Sequence, residues 1–249
     1  MLKEERQQFI LNETRIHNKV LLGDLAEQLN VSIDTVRRDV KELDQLKKLK
    51  KVHGGAISNG FNIYTYTETD IFSHEEKAFI AKKSVSLIPN NGIVLISGGT
   101  TNLEIARHLP VNLKATFFTP SLPVAMQLMT HEHIEVLFIG GRLLKDSQLA
   151  VGPSTIRFIQ EIRADVCFMT TNSIDEANGM TDSDWDIVQM KKAMLKSSKK
   201  IVAPVISEKL GSSQRYQTCT INEVDVLVTE LDPFSSKLEG YRRQNIEII

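Results

Sequence analysis

The chain has 249 residues, 41% of them hydrophobic and 24% charged, with a formal net charge of −1. Such a length suits one large domain with a smaller companion, and such a composition excludes disordered or fibrous chains. No stretch approaches the ~20 uninterrupted apolar residues of a membrane helix. The first twenty residues mix both charge signs without an apolar signal core, so a cytoplasmic protein with no membrane partner is expected. Charge is unevenly spread: Arg37–His53 holds seven basic residues against three acidic ones. A local basic segment of this kind suits a polyanionic partner, although a solvated helix face has the same composition.

Three helical patterns open the chain, at Leu2–Thr14, Leu22–Leu29 and Ser32–Leu46. Only Asn30-Val31 separates the second from the third, and Asn tolerates a left-handed C-cap. Ser32 is a good N-cap, and Asp34 in the first turn suits the helix dipole. Ile33, Val36, Val40 and Leu43 recur at helical spacing and predict one continuous buried face. Ser32, Thr35, Arg37, Arg38 and Lys41 then fall on other faces, a helix-turn-helix whose second helix enters the major groove. Arginine can pair with guanine edges or clamp phosphates, while hydroxyls donate to either. The run Leu46–Ala56 follows, with Lys48, Lys50, Lys51, His53 and Gly54 expected on a β-hairpin wing against the phosphate backbone.

Residues 58–74 carry no organised apolar run and read as a linker between a DNA-binding domain at 1–57 and a second domain at 75–249. From there strand-length apolar runs alternate with amphipathic helices. The strands are predicted near Ile93–Ile96, Ala115–Phe118, Glu135–Ile139, Asp165–Met169, Lys200–Pro204 and Asp225–Thr229. Helices are predicted at Glu75–Ile88, Asn102–His108, Leu122–Met129, Thr155–Ile162 and Ile187–Ser197. The fold class is therefore α/β, a mostly parallel, Rossmann-like sheet covered on both faces. Ligands of such sheets bind beyond the carboxyl ends of the strands. Ser97-Gly98-Gly99-Thr100-Thr101 stands at the first strand end, where backbone N–H groups and hydroxyls suit an anion. Thr119 with Ser121, Gly140-Gly141, and Asn172 stand at later ends, and Lys209 offers a cation. A polyol-phosphate pocket is the expectation, with a plain tight turn as the alternative at the first loop.

Ser32-Ile33-Asp34-Thr35-Val36-Arg37-Arg38-Asp39-Val40, followed by Val52-His53-Gly54-Gly55-Ala56, resembles the DNA-binding signature of the DeoR family of bacterial regulators. The resemblance continues through Gly99-Thr100-Thr101, Gly140-Gly141, Ile174-Asp175, Gly179-Met180-Thr181 and Lys209-Leu210-Gly211, covering nearly the whole chain. It implies a winged helix-turn-helix on operator DNA and a sensor domain similar to sugar-phosphate isomerases. It also implies repression of carbohydrate-utilisation genes, a phosphorylated sugar as effector, and no enzymatic activity. Ser97, Pro120 and Ile206 depart from the Asp, Asn and Asp usual there, and Thr170, Asn172 and Ser173 replace glycines. A phosphate subsite is expected to be kept while the sugar-reading half is altered.

Asp39 is expected to brace Arg37 or Arg38 rather than to meet phosphate. Cys167 and Cys219 lack ligand spacing and read as small buried hydrophobes. His131 and His133 are read as a chance pair, so neither metal nor cofactor is expected. Trp185 is read as covering core at a helix start, with ligand stacking as the alternative. A homo-oligomer, dimer or tetramer, is expected because helix-turn-helix readers meet paired half-sites. Two alternatives stand beside the repressor: an isomerase carrying a DNA-binding appendage, and a regulator whose vestigial pocket answers to a protein partner.

Overall fold

A computed structural model describes residues 1–17, 19–58, 72–244 and 246–249. The chain divides into one unit at Met1–Phe72 and another at Ser73–Ile249. Of the segment read as a linker, residues 59–71 lie outside the described residues.

In the first unit, α1 (Lys3–His17) opens on Glu4 and Glu5 and closes on Arg15 and His17, an arrangement the helix dipole favours. β1 (Lys19–Leu21) leads into α2 (Leu22–Leu29), which ends at Asn30 in the left-handed conformation, φ 50° and ψ 48°. α3 (Ile33–Gln45) starts at Ser32, whose hydroxyl accepts the Thr35 N–H at 3.2 Å. Val36, Val40 and Leu43 of α3 pack against Ile10, Leu25 and Leu29 in a core of their own. Ile33 does not join them. It continues the stripe by periodicity but sits at the helix start and is 47% exposed, so the buried face is one residue shorter than the spacing predicts.

β2 (Lys50–Val52) and β3 (Gly55–Ile57) form the hairpin anticipated from the lysine run, and β1 adds to β3 to give the sheet order β1-β3-β2. A Cβ on Gly55 would lie 2.1 Å from the Val20 carbonyl oxygen, so only glycine lets β1 pair there. β1 is three residues long, too short to register as a pattern.

The second unit opens with α4 (His74–Ser84), continued by a 3₁₀ turn at Val85–Leu87. There follow β4 (Gly92–Ile96), α5 (Thr100–Arg107), β5 (Ala115–Thr119), α6 (Leu122–Leu128) and β6 (Ile134–Phe138). A hairpin, β7 (Arg142–Leu144) with β8 (Leu149–Val151), precedes α7 (Pro153–Gln160) and β9 (Val166–Phe168). β10 (Ser173–Asp175), β11 (Gly179–Asp182) and α8 (Trp185–Lys196) come next, then β12 (Ile201–Pro204), β13 (Tyr216–Cys219) and β14 (Val226–Val228). α9 (Glu239–Arg242) and β15 (Glu247–Ile248) close the chain.

The main sheet is parallel throughout, in the order β15-β14-β12-β9-β4-β5-β6. Val94, Leu95 and Ile96 are all fully buried, as consecutive residues can be only when both faces of a strand are covered. Strand order reverses between β4 and β9, which makes the carboxyl ends of those two strands the topological switch point. β10, β11 and β13 form a small antiparallel sheet that the sequence pattern does not announce. Cys167 and Cys219 are buried and unbridged, with both thiols pushed up to about 12 by burial.

Candidate nucleic-acid interface and effector pocket

α3 presents Arg37, Arg38 and Lys41 to solvent, with the half-buried Thr35 and the exposed Ser32 at its first turn. The Ser32 and Thr35 hydroxyls lie 2.9 Å apart, so one hydroxyl hydrogen is shared within the pair and one remains for an outside acceptor. The Arg37 guanidinium bonds the Asp34 carboxylate one turn back, and the Arg38 Nε points to the Asp34 carbonyl at 3.3 Å. Lys48, Lys50, Lys51, His53 and Gly54 are exposed on and beside the hairpin, and the Lys51 N–H donates to Asp44 at 2.9 Å.

Asp39 braces neither neighbouring arginine. It is 3% exposed and takes a forked bond from Arg6 of α1, with Nη2 at 3.1 Å from Oδ1. Lys3 and Gln7 of α1 reach Glu42 on the same face of α3. The carboxylate thus ties α3 to α1, a role that spacing within α3 does not reveal because its partner is 33 residues away. Losing one member of a buried pair strands the other. Asp39→Ala is therefore expected to cost about 3 kcal/mol. In calorimetry of the full chain it should lower the transition of the first unit, and Lys41→Ala should leave that transition in place.

In the second unit the anticipated residues at the switch point come together. Ser97 is fully buried, its N–H bonds the Phe168 carbonyl at 2.9 Å, and its hydroxyl accepts the Thr170 N–H at 3.1 Å. Gly98 and Gly99 follow, and α5 begins at Thr100, so the loop meets a helix N-terminus. Gly99 has φ 107° and its Cβ would lie 2.8 Å from the Thr170 hydroxyl, two reasons for glycine there. Asn102 donates from Nδ2 to the Ser97 carbonyl, the Ser97 hydroxyl and the Phe168 carbonyl, each at 3.0 or 3.1 Å, locking the two strand ends together. Thr119 accepts the Ser121 N–H, and the Ser121 hydroxyl is buried near Gly98 with no bonding partner among the described residues. Gly140 and Gly141 do not join this group. They end the edge strand β6, two strands from β4, where the Gly140 carbonyl accepts from Thr155.

Three buried lysines gather around the same strand ends, and only one was anticipated. Lys209 is 9% exposed and donates to the Thr171 carbonyl at 2.7 Å. Lys191 of α8, 4% exposed, donates to the Thr170 carbonyl at 2.7 Å and to Asp182 at 2.8 Å. Lys77 of α4 is 5% exposed and close enough to feel Glu208 and Glu104. Burial pushes the Lys209 ammonium down to about 7, and Lys77 and Lys191 push the same way. Burial likewise lowers Lys77 to about 8 against the pull of the surrounding carboxylates. Asp182 also accepts from Asn172 N at 3.3 Å and Thr218 at 3.4 Å, so its two oxygens are engaged. Three lysine amines thus stand in a desolvated space with Asp182, Glu104 and Glu208 within electrostatic reach, and a bound anion would favour the charged forms of Lys77 and Lys209. Lys77 and Lys191 went unread because a lysine in an amphipathic helix is usually solvated, and nothing local marks the exceptions.

Thr170 stands at the mouth of the switch point. Its hydroxyl donates across to the Gly98 carbonyl at 2.5 Å, where a glycine would leave space. Ile206 is buried at 1% exposure, and its apolar side chain offers no hydrogen bond where the resemblance leads one to expect a carboxylate. A cleft of about 340 Å³ runs past the 207–211 turn, lined by Ser207, Leu210, Gly211, Asp175, Glu176 and Tyr241 among others, and includes none of the anticipated residues. Trp185 does not cover core: it is 56% exposed and packs edge-on against Tyr216 at 5.4 Å. His131 bonds the Ala106 carbonyl at 2.8 Å, and no group of three metal-binding side chains occurs among the described residues.

A family model described as "DeoR-like helix-turn-helix domain" matches residues 6–60, and one described as "DeoR C terminal sensor domain" matches residues 73–231. The chain belongs to the DeoR family. Among its relatives is the HTH-type transcriptional regulator GolR of Listeria innocua, 30% identical over 92% of this chain and 91% of that protein. The HTH-type transcriptional repressor GlcR of Bacillus subtilis is 30% identical over all of this chain and 96% of its own. The glycerol-3-phosphate regulon repressor of Escherichia coli is 27% identical over all of this chain and 99% of its own. Among solved structures, ribose 5-phosphate isomerase A from Neisseria gonorrhoeae aligns with 55% of this chain and 53% of its own, at 18% identity and a TM-score of 0.41. As a DeoR-family chain it joins a helix-turn-helix unit to an α/β sensor unit, and no described helix is long and apolar enough to cross a membrane.

Proposed function

We propose that this chain is a homo-oligomeric repressor of carbohydrate-utilisation genes, not an enzyme, and that a phosphorylated sugar or related metabolite bound at the switch point controls it. The observation that carries the sensing half is that buried Lys191 and Lys209 hold the Thr170 and Thr171 carbonyls at the strand end that meets Gly98, with buried Lys77 within electrostatic reach of Lys209. The phosphate lies against the loop at the start of α5, where the loop N–H groups and the Thr100 and Thr101 hydroxyls donate to it and the lysines supply the countercharge. On the DNA side, Arg37, Arg38 and Lys41 enter the major groove while the hairpin lysines and His53 follow the phosphates. Effector favours one arrangement of the paired recognition helices over the other and so shifts operator affinity. An isomerase needs a positioned base, and the engagement of Asp182 by Lys191 speaks against that role. The test is calorimetry of the full chain across a panel of sugar phosphates: one of them should bind, and binding by none would remove the sensing half.

One observation favours a second reading, that the pocket no longer takes a sugar and a protein partner regulates the chain. It is the Thr170–Gly98 bond drawn across the crevice. The same panel separates the two, because a native-state ligand at ~100 times its dissociation constant stabilises by about 2.7 kcal/mol.

Binding should be proton-linked. Without ligand, Lys209 sits at about 7 and Lys77 at about 8, so both are partly deprotonated at pH 8. A bound anion favours their charged forms and draws protons in. Effector affinity is therefore expected to fall as pH rises from about 6.5 to about 8.5, and calorimetry in buffers of different ionisation enthalpy should register net proton uptake at about pH 8. In the absence of ligand the sign for stability is opposite. The unfolded lysines, near about 10.4, hold more protons than the folded ones between about pH 7 and 10, so these two groups make folding more favourable as pH rises through that window.

A further inference from the structure

The first turn of α3 carries an apolar side chain that lies outside the core cluster of its unit among the described residues. Ile33 is the first residue of the helix and 47% exposed, while its stripe-mates Val36 and Val40 are fully buried. Around it the polar groups make local bonds. Ser32 and Thr35 cap the helix through each other, Asp34 holds the Arg37 guanidinium, and the Arg38 Nε leans on the Asp34 carbonyl. Helix propensity does not favour isoleucine here either, since a β-branched residue is a middling helix former at an exposed site.

A recognition helix meets base edges with its N-terminal residues. In the major groove, thymine alone presents a methyl group, and apolar side chains are what contact it. We infer that Ile33 reads a thymine 5-methyl group in each operator half-site and so sets part of this chain's sequence preference. The assignment rests on the DNA-binding reading above and adds to it a base-reading role for a residue that helical spacing placed on the buried face. Asp34 works beside it as a positioning group: with one carboxylate oxygen on Arg37, it fixes the direction in which that guanidinium leaves the helix. One turn of helix thereby presents a methyl reader and a guanidinium side by side.

The experiment uses the full chain and an operator selected from random duplexes. Each thymine in the operator is replaced in turn by uracil, which removes the 5-methyl group and changes nothing else on the groove edge. One thymine per half-site should show a loss of about 4-fold on replacement, from the burial of one methyl group. Ile33→Ala should bind the thymine and uracil operators alike, and Ile33→Val should keep part of the discrimination. Because the side chain is exposed, both variants should melt with the parent protein. Uracil losses that persist unchanged in Ile33→Ala, or no uracil loss at any position, would overturn the assignment while leaving DNA binding intact. Failure to select any sequence from the random pool would instead overturn the DNA-binding reading beneath it.

Discussion

Arg38→Ala is expected to weaken operator binding by about 100-fold or more while leaving effector binding unchanged. The side chain is exposed on α3, and its Nε donates to the Asp34 carbonyl at 3.3 Å. A guanidinium that meets guanine O6 and N7 is worth roughly 1–3 kcal/mol of discrimination, and a paired operator uses it twice. Arg37→Ala should act in the same direction, with the added effect of releasing Asp34 as an uncompensated carboxylate near phosphate. Fluorescence anisotropy on the selected operator reads the loss, and calorimetry with the effector supplies the control. Both arginines sit on the surface, so a large loss of fold in either variant would contradict their placement.

Lys209→Met is expected to do the reverse: effector affinity falls by about 100-fold while operator affinity stays within about twofold. Its ammonium is buried, pushed down to about 7, and among the described residues donates to one carbonyl, that of Thr171. Replacing it with a methionine of similar length removes a charge that burial disfavours and strands one carbonyl, two changes of opposite sign. The melting midpoint should therefore move little even though the ligand is lost. Thr100→Ala should weaken effector binding less, since the backbone N–H groups of the loop remain. Lys191→Met should behave differently from Lys209→Met, because it leaves Asp182 buried without its cation and should destabilise the sensor unit by about 3 kcal/mol or more. That contrast separates a lysine held for the ligand from one held for the fold.

The elements legible in the sequence are those whose signals are local. Asn30 as a left-handed cap, Ser32 as an N-cap and the Val36–Val40–Leu43 stripe lie within a few residues of one another, and the fold uses each as read. The parallel strands were legible because continuous apolar runs such as Ile93–Ile96 have no other home than a doubly covered sheet. Ile33 was misplaced for a physical reason: periodicity gives the face of a helix and not the length over which a core covers it. Asp39 was misread because its partner comes from another helix, and Trp185 because an aromatic at a helix start carries no mark of exposure. At the candidate pocket, the Gly98–Thr101 loop announced itself through glycine and threonine at a strand end. The Lys77 and Lys191 amines did not, because their burial arises from how α4 and α8 lie on the sheet. The strands β10, β11 and β13 are short, β11 pairs with β13 across more than thirty residues, and their mixed polarity leaves no period to find.

The family's pattern and this chain part company at the crevice, and the structure shows how. Thr170 spans from β9 to the Gly98 carbonyl, and Ile206 buries an apolar side chain at the end of β12. Both changes leave the Lys191 and Lys209 bonds to the Thr170 and Thr171 carbonyls in place.

The most direct test of the whole account is a single titration: the full chain on its selected operator duplex, across a series of salt concentrations, with and without the phosphorylated metabolite that calorimetry identifies. Affinity should fall linearly with the logarithm of salt, prefer the operator over a scrambled duplex, and change by about tenfold or more when the metabolite is added. Operator affinity that ignores sequence, or that stays constant while the metabolite saturates its site, would contradict the claim that an anion held at the lysine-ringed strand ends governs the helix carrying Arg37 and Arg38.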